Sequence, residues 1–234
     1  MASYWVPDRV DAPELMDEPG LPPLEVEDAH RILRRVNRQL GNLRTIRREF
    51  RRFLAEDAAG RPAVSLLDLG SASGDIPLDL RGLTGGPGQV LAMGLDRDPV
   101  AAGAALRLGL PVVRGDALRL PFADRSVDLV MAVKFAHHFA GEPLAKLLRE
   151  MTRVARRRVV VLDIHRHRLA YWGFWAWSRV FTTNRLVRFD GPLSVLRGFT
   201  RDELLAEVAP IAEFSWEVRS YFGFQIALIG RRRV

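Results

Sequence analysis

The chain has 234 residues, 48% hydrophobic and 27% charged, the make-up of one globular domain with an appendage. It contains no cysteine, which excludes disulfides, thiolate metal sites and cysteine nucleophiles and leaves the redox compartment open. The formal charge is +7, but only Lys134 and Lys146 of its 35 basic residues are lysine, so the excess reads as genome composition as readily as a nucleic-acid surface.

Residues 1–23 hold Pro7, Pro13, Pro19, Pro22 and Pro23 and read as an irregular arm. Asp8 and Asp11 and the lack of an apolar run give no secretory signal, so a cytoplasmic protein is expected. From residue 24, apolar residues recur three and four apart. Ala29, Ile32, Leu33, Val36 and Leu40 form one helical face, and beyond a break at Gly41-Asn42 the period continues through Leu43, Ile46, Phe50, Phe53 and Leu54. Nine arginines between Arg31 and Arg52 stand mostly opposite. Gly60-Arg61-Pro62 ends this segment, so residues 1–60 are expected as an arm and helical cap and residues 61–234 as the main domain.

The rhythm then changes. Short apolar runs at 64–69, 90–95, 112–113, 127–133 and 159–164 read as strands, with helices at 99–108 and 142–154 between them. This alternation predicts an α/β fold with a parallel sheet covered on both faces. Thr200 and Glu203 form a capping box for a helix over 200–209, and residues 214–221 and 224–229 close the chain as a strand pair around Gly223. Arg156, Arg157 and Arg158, with Arg231, Arg232 and Arg233, read as scattered positive charge.

Residues 171–181 hold three of the five tryptophans and, with Arg179 among them, are too short for a membrane span. They fall in a lid-like insert near 166–198. A helix there places Tyr171, Phe174, Trp175 and Phe181 on one face and Trp172 and Trp177 elsewhere. Three readings stand side by side: a substrate-pocket wall, packing between sheet and cap, and a membrane-surface or dimer contact.

The most informative segment is LDLGSASGD at 67–75, a buried strand running into a turn of small residues and then a helix. Its spacing is not that of a dinucleotide loop, and Asp68 and Asp75 flank it, which suits a ligand with a cationic part better than a diphosphate. Asp96 ends the next strand, where a carboxylate can accept both hydroxyls of a ribose. Asp116 follows the third strand, where it can accept from an adenine amino group while Ala117 and Leu118 lie on the ring. The plain alternative is a set of turn glycines and capping acids.

Together LDLGSASGD, GLDRDP, RGDALRLPFADRSVDLVMAVKFAHHF and VVVLDIH make residues 64–161 resemble the class I S-adenosylmethionine-dependent methyltransferases. The resemblance is to the small-molecule branch that includes quinone and polyketide methyltransferases. It implies a Rossmann-like, seven-stranded, mostly parallel sheet whose last strand, 224–229, runs antiparallel. It implies S-adenosyl-L-methionine as cofactor. Asp68, Gly70, Ser71 and Gly74 would lie on its methionine side, Asp96 and Arg97 at the ribose, Asp116 and Ala117 at the adenine, with Lys134 completing the set. Ala72 stands where the family usually has glycine. The resemblance does not explain residues 1–60.

In the same fold, residues 134–139 (Lys-Phe-Ala-His-His-Phe) face the methyl group. The Asn-Pro-Pro-Tyr loop used on exocyclic base amines is missing, and cysteine-dependent methylation of pyrimidine carbon is excluded by composition. Histidine suits base duty at neutral pH. His137 or His138 is a candidate base, with Asp163 across the cleft to orient it or to bind substrate; a capped structural histidine at 138 is the equal alternative. Phe135, His165, Tyr171, Trp172 and Trp175 are candidate substrate contacts. His165 and His167 lack an obvious third ligand, so no metal is expected.

The expected function is methyl transfer to a small aromatic or lipid-like acceptor, oxygen ahead of carbon. An RNA or protein methyltransferase recruited by the arginine stripe and a non-catalytic binding protein of the same fold are the alternatives. The stripe suits an acyl-carrier protein or a membrane surface; no RNA-binding module accompanies it, which disfavours nucleic acid. A homodimer is compatible with the aromatic insert.

Overall fold

The computed structural model describes residues 6–18, 20–83 and 89–233; residues 1–5 and Pro19 of the expected arm lie outside the described residues. Two helices, α1 (Pro23–Gln39) and α2 (Asn42–Glu56), come first. They part where Gly41 takes a φ of 82°, a left-handed turn that glycine enters without steric cost. Then follow β1 (Ala63–Leu69), α3 (Asp75–Arg81), β2 (Gln89–Asp96), α4 (Pro99–Arg107), β3 (Val112–Arg114) and β4 (Val127–Val133). The chain continues through α5 (Glu142–Val154), β5 (Ala155–Ile164), α6 (Arg168–Phe181), α7 (Arg185–Arg197), α8 (Arg201–Val208), β6 (Phe214–Tyr221) and β7 (Gln225–Arg232).

The seven strands form one sheet in the order β3-β2-β1-β4-β5-β7-β6. The first five are parallel, and β7 runs antiparallel to both β5 and β6, as the sequence leads one to expect. Strand alternation sends side chains to two cores. Leu67 and Leu69 of β1 meet Leu147 and Met151 of α5 and Leu204 of α8. Val64 and Leu66 point the other way, against Ile46, Phe50 and Phe53 of α2. Thus α2 belongs to the core of the sheet, and no boundary between cores falls at residue 60. Ala29 of α1 instead joins Leu186 and Val187 of α7.

Three expectations need correction. First, β5 begins at Ala155 and takes in the arginine triplet, which is not surplus charge. Arg156 and Arg157 donate to Asp128 at 3.0 and 3.2 Å. Arg158 is buried and pairs with Glu56 and Asp57 at the end of α2. Second, Arg231 pairs with the same two acids, and Arg232 donates to the carbonyls of Thr152 and Ala155. Third, the packed face of α6 is Ala170, Phe174, Trp177 and Ser178, so Phe174 and Trp177 share a side. The cause is Gly191 of α7, where a Cβ would come within 1.9 Å of the Phe174 ring; the bare backbone admits the ring and fixes the rotation of α6.

The capping box of α8 forms as expected: Glu203 N–H donates to the Thr200 hydroxyl, and Thr200 N–H donates to Glu203 at 2.8 Å. Among the described residues no helix is long and apolar enough to cross a membrane.

Candidate active site

Because β1, β2, β4 and β5 are parallel, their C-terminal ends share one edge, and the predicted residues stand there. The loop after β1 turns tightly. Gly70 has a φ of 65°, and a Cβ there would lie 2.2 Å from the ring of Phe135. Ala72 holds a φ of 46°, a conformation that costs an L-residue roughly 1–2 kcal/mol. It is held by Asp96, which accepts from Ala72 N–H at 2.8 Å and from Asp98 N–H at 2.9 Å. Ser71 is buried beside Gly94, where a Cβ would sit 2.3 Å from its hydroxyl.

Asp68 is buried, and its Oδ1 has no hydrogen-bond partner among the described residues. Burial first, and the charge of Asp96 second, push its pKa well above the usual carboxylate range. A lone buried carboxylate at the mouth of a small-residue loop is the complement of a cationic ligand. Asp116 is exposed and accepts from Leu118 N–H at 2.9 Å, while Ala117 is buried beneath it. Arg97 is exposed, and its carbonyl accepts from Arg114 Nε at 3.4 Å.

The turn after β4 brings the chemistry together. Lys134 N–H donates to Leu162 O at 2.8 Å and so ties β4 to β5. Burial lowers the Lys134 pKa to about 8 against the pull of Asp163. Phe135 lies over Gly70 and edge-on to Phe139. Ala136–His138 is a 3-10 turn that aims His137 at β5. His137 Nδ1 lies 2.7 Å from Asp163 Oδ1, and His137 N–H donates to Asp163 Oδ2 at 3.1 Å. Burial opposes ionisation of Asp163, yet His137 and Lys134 outweigh it and hold its pKa at about 2. The carboxylate is therefore charged, Nδ1 carries the proton, and Nε2 points the other way. His138 is half-buried, its ring 4.4 Å from that of His137.

The proline-rich arm closes over this turn, which sequence reasoning missed. Glu14 is buried, with Oε1 3.7 Å from His137 Nε2. It accepts from the Ser194 hydroxyl at 2.7 Å and lies 4.0 Å from the Arg197 guanidinium. Arg197 donates to His137 O and Ala12 O, and Arg9 donates to Phe139 O at 2.7 Å. Leu15 and Met16 N–H donate to Asp190, and Arg166 donates to Pro7 O. Glu14, His137 and His138 bring three donor atoms within 4.8 Å of one another, but the guanidinium of Arg197 already supplies a counter-charge to Glu14.

The remaining candidates lie apart. His165 is held between the backbone of Phe224 and Phe199, and burial lowers its pKa, helped by His167 and Arg166. His167 caps α6 and stacks on Phe224. Tyr171 is half-buried and edge-on to Trp172. Trp172 and Trp175 are exposed on the outer side of α6.

Residues 67–162 match the family described as "Methyltransferase domain". The chain is 33% identical over 132 residues to a 2-phytyl-1,4-naphtoquinone methyltransferase of Synechococcus elongatus, covering 52% of this chain and 54% of the relative. It is 34% identical over 140 residues to a demethylmenaquinone methyltransferase of Roseiflexus sp., covering 55% of each. The chain thus spans about half the length of the curated relatives it matches. Its fold resembles that of a SAM-dependent methyltransferase from Aquifex aeolicus, with a TM-score of 0.61 at 16% identity over 88% of this chain and 98% of the other.

Proposed function

We propose that the class I S-adenosylmethionine-dependent methyltransferase domain of this chain methylates a small aromatic or lipid-like acceptor, at oxygen before carbon. The observation that carries this reading is the buried His137–Asp163 pair at the strand edge, 2.7 Å apart. The names of the quinone methyltransferases among the relatives support an aromatic, lipid-like acceptor.

The residues present fit the cofactor. Asp68 offers an unpartnered buried carboxylate to a positive group, Gly70 and Gly74 keep the loop bare, and Asp96 and Asp116 offer acceptor oxygens further along the edge. S-adenosylmethionine supplies a methyl group already activated on a sulfonium. Much of the remaining work is alignment, which can contribute about 7–11 kcal/mol in favourable geometries.

A hydroxyl acceptor must also lose a proton. In this reading Asp163 holds His137 through Nδ1 and stabilises the imidazolium that forms when Nε2 takes the acceptor's proton. Such a base contributes roughly 10²–10⁴-fold. Lys134 lies close enough to Asp163 to be attracted by its charge and keeps that carboxylate ionised. Glu14 of the arm is buried against the same turn.

The test is transfer of label from methyl-labelled S-adenosylmethionine to a panel of hydroxylated quinols and phenols, beside RNA and protein. Label in the small-molecule fraction supports the reading. Label confined to RNA or protein overturns it.

A further inference from the structure

Helix α6 is apolar on its outside as well as its inside. Leu169, Trp172, Trp175, Ala176 and Val180 recur three and four residues apart on the side away from Phe174 and Trp177, and all five are exposed. Trp172 is 57% exposed and Val180 74%. A contiguous apolar stripe of this kind is rare on a monomer without a partner. At the start of the helix the stripe meets a second exposed apolar group. His167 stacks on Phe224, and Phe222, 92% exposed, lies just before β7. Gln225 pairs with Ile164, so these phenylalanines stand at the edge that holds His137 and Asp163. The apolar surface therefore begins at the strand edge that carries the candidate active site.

The charge on this face is basic. Between Asp163 and Asp190 there is no acidic residue, and although Arg166 pairs with Glu203 and Arg185 with Glu25 from other elements, Arg179 is exposed within the stripe. Arg179 lies 4.2 Å over the ring of Trp175, within the stripe. Tryptophan with arginine beside it is the composition of a headgroup-level contact. A symmetric dimer through this face would set Arg179 against its own copy, with no acid from residues 164–189 beside it. The whole chain adds to the bias with its charge of +7.

We propose that the outer face of α6 is a docking surface for an anionic lipid bilayer, which sets the strand edge of the site toward the membrane. Trp172, Trp175 and Val180 enter the headgroup boundary, and Arg179 meets lipid phosphate. A lipid-like acceptor then reaches the site from the bilayer without crossing water.

The test is flotation of the full chain with vesicles of phosphatidylcholine containing about a third phosphatidylglycerol, against vesicles of phosphatidylcholine alone. It reads binding without methyl transfer, so it fails or succeeds separately from the proposed activity. The expected result is partition onto the anionic vesicles that falls as salt is raised. Trp172→Ser with Trp175→Ser, and separately Arg179→Glu, weaken that partition roughly tenfold while the circular dichroism stays that of the parent chain. Three results overturn the proposal: no partition onto anionic vesicles, partition that these variants leave unchanged, or a dimer in solution in which Trp172 and Trp175 are shielded from a soluble quencher. Binding to an acidic carrier protein with no binding to vesicles overturns it too.

Discussion

Glu14 Oε1 stands 3.7 Å from Nε2 of His137, on the side of the ring opposite Asp163. The histidine is thus set between two carboxylates, one from β5 and one from an arm 123 residues earlier in the chain. An imidazolium formed there by proton uptake is stabilised from both sides. Glu14→Gln removes one of these charges and keeps the shape of the strap. The expected outcome is a fall in kcat of roughly tenfold, with cofactor affinity unchanged by calorimetry. An unchanged kcat removes Glu14 from the site.

Asp68 gives a prediction with two signs. Its buried carboxylate has an orphaned oxygen and a raised pKa, so it costs stability in the absence of a cation. Asp68→Asn raises the melting temperature of the ligand-free protein and weakens S-adenosylmethionine binding at least roughly tenfold. Thermal unfolding and calorimetry on the same preparation check both halves. A variant that is less stable and binds normally contradicts the cationic-ligand role.

The acid limb of stability follows from Asp163. Its folded pKa of about 2 lies below the ordinary value of 3.8, so its contribution is complete above 3.8 and is lost as pH falls from there to 2. Asp163→Asn has no such loss. The stability gap between parent and variant narrows by about 2 kcal/mol between pH 5 and pH 2. Urea unfolding at stepped pH measures it, and a constant gap refutes the ionised pair.

Gly70→Ala tests the loop. The added Cβ meets the Phe135 ring at 2.2 Å, and the φ of 65° strains any L-residue. The substitution costs more than about 2 kcal/mol in urea unfolding. Phe135→Ala in the same background restores part of it, a coupling expected only for residues in contact. Additive losses contradict the close approach of ring and loop.

The sheet was legible because its signal is local and periodic. Leu66, Leu67 and Leu69 alternate between two cores, and Asp68, Asp96 and Asp116 fall at strand ends that topology places on one edge. That a histidine after β4 can reach Asp163 was legible for the same reason, since β4 and β5 are neighbours, but the choice between His137 and His138 was not. The strap was not. Glu14, Arg9 and Arg197 meet through contacts up to 188 residues apart, and no period in the sequence encodes them. The rotation of α6 was hidden as well, because a helix aromatic all round carries no facing signal, and Gly191 on another helix decides it. The arginine triplet misled because a charge run looks the same whether solvated or paired; Asp57 and Asp128 make the difference.

The most direct measurement is the single-turnover rate of methyl transfer by His137→Ala, at saturating S-adenosylmethionine, with the phenolic acceptor that the parent chain turns over best. With His137 as base, the rate falls by at least about 100-fold while cofactor affinity holds. A rate within a few-fold of the parent chain contradicts proton transfer by the His137–Asp163 pair and leaves the domain to act by alignment alone.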